Sequence, residues 1–240
     1  MAFGSDRKYM SPAQAEAAQI DVGLRQYMLK VYNLMASGLA LTGIIAFLVA
    51  SSPAATQLLF GTPLKWVVMF APLAMVFFFS FKIESLKAST AQTIFWVFAA
   101  LMGASLATVF LVFTGASVAR TFFITAAAFG GLSLYGYTTK RDLSAFGTFL
   151  VMGLIGLMIA MVVNIFVQST MMQFVISAAG VLIFAGLTAW DTQKIKEMYW
   201  EADGSEVASK KAIMGALTLY LDFINLFTFM LQFLGVKRDE

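Results

Sequence analysis

The side chains in this sequence best placed to do chemistry are two aspartates set among apolar residues. Asp222 lies in LYLDFINLF (219–227) and Asp191 in LTAWDTQKIK (187–196). A carboxylate deep in an apolar helix is costly to insert into a membrane, by about 2.5–3.5 kcal/mol, and is read by default as functional with a partner. Projected as a helix, Gly215, Thr218, Asp222, Asn225 and Gln232 fall on one stripe at steps of three and four, with Phe229 between the last two. Such a stripe must face the interior of a bundle or water, because lipid would leave its polar groups unsatisfied. Thr218 and Asn225 flank Asp222 on the stripe and Thr188 precedes Asp191 by three positions, which makes these three the supporting polar residues.

Two carboxyls brought close cannot both ionise cheaply, so they hold one proton between them and titrate as a pair. Losing that proton places two negative charges together. Repulsion then parts the helices and frees their oxygens. No resident cofactor is expected. The rest of the chain narrows the chemistry further. Histidine and cysteine are absent, which removes imidazole and thiolate ligands, thiol nucleophiles and disulfides, and leaves displaced carboxylates or lysines as the only pH sensors. GASVAR and GGLSLYG lack the preceding strand and following lysine of a phosphate-binding loop. A net charge of +3 is too small to argue for nucleic acid. No catalytic residue is assigned, and an enzyme is not expected.

The elements that must carry these residues are membrane helices. Of the residues, 60% are hydrophobic and 12% charged, against about 25% charged in soluble domains. Seven apolar stretches of roughly 20 residues run over 28–50, 64–81, 91–113, 118–137, 146–168, 172–190 and 212–234. None alternates in the way a barrel strand of about 10 residues would. The breaks between them include SSPAATQ, IESLKAST and TTKRDLS. The expected organisation is an all-α, seven-helix bundle over 28–234, preceded by a cytoplasmic segment (1–27) and followed by a tail (235–240).

Basic residues set the expected orientation. The amino-terminal segment and the second, fourth and sixth loops hold twelve of them, from Arg7 to Lys211, whereas the other side has Lys65, Arg120, Lys237 and Arg238. That asymmetry places the amino terminus in the cytoplasm and the carboxyl terminus outside. The polar start does not read as a cleaved signal, and SPAQ at Ser11 reads as a helix cap with proline in the first turn. Glycines in the first, third, fourth and fifth spans read as close helix contacts. Helices six and seven, joined by a loop, are expected as antiparallel neighbours. If the sixth continues about two turns past Asp191 through KIKEMYW, that carboxylate moves inward toward the level of Asp222.

The stretches LYGYTTKRDLS, GLIGLMIAMVVNIF, FAGLTAWDTQKIKEMY and GALTLYLDFINLF resemble the corresponding parts of the Bax inhibitor-1 family, bacterial branch, and the similarity runs through the chain after about Ile20. The resemblance implies a seven-helix protein of the bacterial cytoplasmic membrane acting as a pH-sensitive calcium leak channel, with calcium as the transported ligand held weakly at Asp191 and Asp222, whose two carboxylates fall short of the six to eight oxygens of a tight calcium cage. It implies that Asp191 and Asp222 form the hydrogen-bonded pair that senses pH. In that family an arginine on the second helix helps hold the closed state; here the nearest basic residue of the second span is Lys82, a candidate counter-charge that lacks the bidentate fork of arginine. Besides the lipid bilayer, calcium and protons, the resemblance leaves room for a membrane protein as partner.

Two other readings compete. An interaction protein that regulates a membrane protease or a stress or cell-death pathway would depend on cytoplasmic loops and tolerate neutral replacements of the aspartates. An intramembrane aspartyl protease would also use two aspartates on adjacent spans, but the contexts TAWD and LYLD lack the tyrosine-aspartate and Gly-x-Gly-Asp motifs of such enzymes.

Overall fold

A computed structural model describes residues 12–238 in backbone and 22–238 in side-chain detail, so the cap expected at Ser11 lies outside the described residues. Eight helices are present among them: α1 (Pro12–Ser51), α2 (Pro53–Phe60), α3 (Leu64–Lys82), α4 (Ala88–Val112), α5 (Gly115–Thr138), α6 (Ser144–Val167), α7 (Thr170–Glu197) and α8 (Ser205–Leu234). Seven are long and apolar enough to cross a bilayer, as the apolar runs predict. The boundary expected after residue 27 falls inside α1, which continues through it unbroken.

SSPAATQ ends the first span, as the sequence predicts, with α1 stopping at Ser51, and Ser52 and Pro53 then start the short helix α2. The Ser52 hydroxyl oxygen accepts from the Ala55 N–H at 3.3 Å, and Pro53 occupies the first turn, where its missing N–H is not needed. At eight residues, α2 rises about 12 Å and cannot span.

The bundle is built around α8. Within an 18-residue apolar stretch of α8, 72% of residues are buried, against at most 33% in the corresponding stretch of any other span. It packs against α1, α4, α5 and α7. The polar stripe therefore does not set α8's orientation alone, because the helix is covered on nearly all sides. Leu219, Tyr220 and Leu226 are more deeply buried than Thr218 or Asn225 on the stripe. Tyr220 meets Phe95 and Phe98 of α4 edge-to-face. Its hydroxyl lies 2.6 Å from that of Thr42 in α1, which itself donates to the Ala99 carbonyl at 2.8 Å. Thr42 has one proton, so Tyr220 is the donor of the shorter bond. This relay ties α1, α4 and α8 in an environment where each unpaired polar group would be expensive.

Small residues let the outer helices approach. A side-chain carbon at Gly103 of α4 would press on the Thr42 backbone carbonyl of α1, and one at Gly136 of α5 on that of Ala189 in α7. In both cases the obstacle is backbone, which cannot swing aside.

Candidate functional site

The loop joining α7 to α8 folds the two into an antiparallel pair whose register fixes the aspartates. A side chain at Gly215 would meet Ile195, and one at Gly180 would meet Phe229. Farther along, the Gln173 amide donates to Gln232 at 2.8 Å. Numbers thus fall along α7 as they rise along α8, and the same register sets Asp191 beside Asp222. α7 runs six residues beyond Asp191, about 9 Å, so this carboxyl sits inside the helix pair and not at its frayed end.

Both aspartates are buried, at 9% and 5% exposure. On facing helices, their carboxyls lie close enough for each to feel the other's charge. Asp222 Oδ2 is fully buried and no protein N–H or hydroxyl donor reaches it. A buried acceptor without a donor is costly, and a proton held on the facing carboxyl is the one local group able to supply the bond.

The neighbouring hydroxyls and amides leave that role to the proton. Thr188 donates to the Phe184 carbonyl at 2.7 Å and Asn225 to the Leu221 carbonyl at 2.8 Å, each inside its own helix. Thr218 is half-buried on the stripe. Thr192 donates to the Thr188 carbonyl at 2.7 Å and receives the hydroxyl of Ser133 in α5 at 3.0 Å. The sequence-selected polar residues therefore line the helices around the pair and bond chiefly to backbone.

Lys82 stands elsewhere. It is exposed at the end of α3, a helix that packs on α2 and α4, and it makes no ion pair among the described residues. The cation whose field reaches Asp191 is Lys194, one turn along α7, with its ammonium 5.1 Å from the Trp190 ring centre.

A residue passed over in the sequence also shapes the site. Gln193 is buried two positions after Asp191. Its carbonyl oxygen accepts from the Leu143 N–H and its amide donates to the Arg141 carbonyl, both at 2.9 Å. It thereby fastens α7 to the α5–α6 loop. Beside it, Lys196 donates to the Tyr137 carbonyl at 2.9 Å. Lys30 to Ser209, Lys210 to the Glu84 carbonyl and Glu206 to the Ala88 N–H tie the remaining loops at the same end of the bundle. The opposite end is closed by the tail, where Thr114 and Arg238 N–H groups donate to Val236 and Val112 carbonyls. Among the described residues no three His, Cys, Asp or Glu side chains gather into a metal-holding group.

Comparison with known proteins places the chain among membrane proteins. A family model described as inhibitor of apoptosis-promoting Bax1 matches residues 24–239. A protein of Rickettsia prowazekii is 51% identical over 219 residues, covering 91% of this chain and 93% of its own. One of Caulobacter vibrioides is 48% identical over 238 residues, covering 95% of each. Inner membrane protein YbhL of Escherichia coli is 44% identical over 230 residues, covering 95% of this chain and 98% of its own.

Proposed function

The chain belongs to the Bax inhibitor-1 family, and from that premise we propose that it is a pH-sensitive calcium leak channel of the bacterial inner membrane, gated by the proton that Asp191 and Asp222 share. The observation that carries this reading is the buried approach of the two carboxyls between α7 and α8. With one proton between them the pair bonds the helices together and the bundle stays closed. Without it, two negative charges face each other in a low-dielectric interior, which favours separation of α7 from its neighbours and entry of water. The separated carboxylates then offer hard oxygens to calcium, too few to retain it. The inner-membrane location rests on seven spans and on a relative that carries this location in its name.

The basic end of the bundle, with Lys30, Lys194, Lys196, Lys210 and Lys211, faces the cytoplasm in this reading. pH sensing then depends on the pair. Outside the spans, the Asp142 carboxyl is held below its ordinary range by hydrogen bonds from the Ser144 side chain and backbone N–H, so it does not titrate in the neutral region. The test is calcium flux through the purified protein in liposomes, with and without the two carboxylates. Flux that vanishes on purification, while the aspartate variants keep their cellular effect, would support the interaction-protein reading instead.

A further inference from the structure

A continuous apolar furrow runs along the bundle between α1 and α5. The two helices each pack on α8 but not closely on each other. The space left is a groove of about 690 Å³ with Arg25, Tyr32, Gly130 and Tyr137 on its walls and Phe223 on its floor. It joins, at Leu39, Ala40 and Phe122, a second groove of about 430 Å³ that continues along the same seam toward Gly115.

Polarity along the furrow is one-sided. Among the described residues its walls carry no carboxylate, and the one charged lining residue is Arg25, at one end. At that end Lys196 donates to the Tyr137 carbonyl, with its ammonium 5.7 Å from the Tyr137 ring centre, which adds a second cation. From Arg25 to Ala40 the helix rises about 22 Å, more than the roughly 15 Å of one leaflet's hydrocarbon. Tyrosines near the charged end suit the membrane interface.

We propose that the α1–α5 furrow is a binding site for an anionic phospholipid, with an acyl chain laid along the seam and the phosphate at Arg25 and Lys196. Guanidinium and ammonium donors match a phosphate group. The apolar walls match a hydrocarbon chain. The seam runs near the aspartate pair, since Phe223 on its floor is the chain neighbour of Asp222 and Ser133, on the furrow wall, donates to Thr192, the chain neighbour of Asp191. The proposal stands independently of the channel reading.

Gly130 gives a direct test, because a side chain there meets no atom within 4 Å and enters the groove. Replacing it by leucine fills the seam and also improves helix propensity. Gly131→Leu, equally unobstructed but not on the furrow wall, is the control. The full chain is purified in detergent, mixed with dioleoyl phosphatidylglycerol or dioleoyl phosphatidylcholine, and examined by native mass spectrometry. Expected are retention of a single phosphatidylglycerol in preference to phosphatidylcholine, loss of retention in Gly130→Leu, and unchanged retention in Gly131→Leu. Arg25→Gln should reduce the preference about tenfold, the worth of one charge-assisted hydrogen bond. Equal retention of both lipids, retention unaltered by Gly130→Leu, or a dimer that Gly130→Leu dissociates would each overturn the proposal.

Discussion

Replacing either aspartate of the pair by asparagine should flatten the pH response of calcium flux. Asparagine keeps the shape and some hydrogen bonding but cannot acquire a charge. The magnitude follows from the contact between the two carboxyls. Two unit charges about 4 Å apart repel by about 4 kcal/mol at an effective dielectric of about 20. At about 1.4 kcal/mol per tenfold, that repulsion is able to shift a closed-open equilibrium by up to roughly a thousandfold. The sign follows from linkage: if the open state binds fewer protons, its population grows as pH rises. Flux through the unaltered protein should therefore increase with pH and fall again on acidification. Asp191→Asn and Asp222→Asn should each vary by no more than about twofold over the same range, for want of a second charge to repel. Because the two residues act as a unit, the double variant should lose no more pH dependence than either single one. The assay is uptake into liposomes loaded with a fluorescent calcium indicator, at matched protein content and with helical content checked by circular dichroism. An unaltered pH profile in both single variants would refute the shared-proton mechanism and leave Asp222 a structural residue.

Other perturbations follow from the same packing. Gly136→Val should destabilise the detergent-solubilised protein by about 1–3 kcal/mol in thermal unfolding, because its side chain meets the Ala189 backbone, whereas Gly43→Ala, in open space, should not destabilise it. Thr42→Val should cost more than Tyr220→Phe, about 1–3 kcal/mol against about 1, since it strands the buried Tyr220 hydroxyl; the reverse order in chemical denaturation would contradict the relay. Lys82→Met should leave flux unchanged within about twofold at any pH, a surface-residue effect, given its exposed place on α3. Reporter fusions in the loop at Lys140 and at Glu201 should report the cytoplasm, and a fusion after the last residue the outside.

The sequence determined much of this protein because a bilayer leaves a chain few choices. Backbone groups in lipid must bond internally, so each long apolar run became a helix, and the lysine-rich KIKEMY stretch extended α7 to Glu197 because cations are tolerated at a helix end. The rarity of a carboxylate in such surroundings picked out Asp222 without reference to structure. What composition and periodicity could not settle was which helix stands at the centre. The runs at 146–168 and 212–234 are both apolar, yet in an 18-residue stretch of each 11% of residues are buried in α6 and 72% in α8. Lipid and protein interior are alike in polarity, so hydrophobicity does not distinguish outer from inner faces. Contacts across the bundle made that decision: the Thr42–Tyr220 relay, the close approaches at Gly103 and Gly136, and the fastening of α7 by Gln193. For the same reason the chain alone did not show where Lys82, a counter-charge by resemblance, would stand; the tertiary structure puts it exposed at the end of α3, which packs on α2 and α4. Proximity between helices is a property of their packing, and no local pattern of residues encodes it.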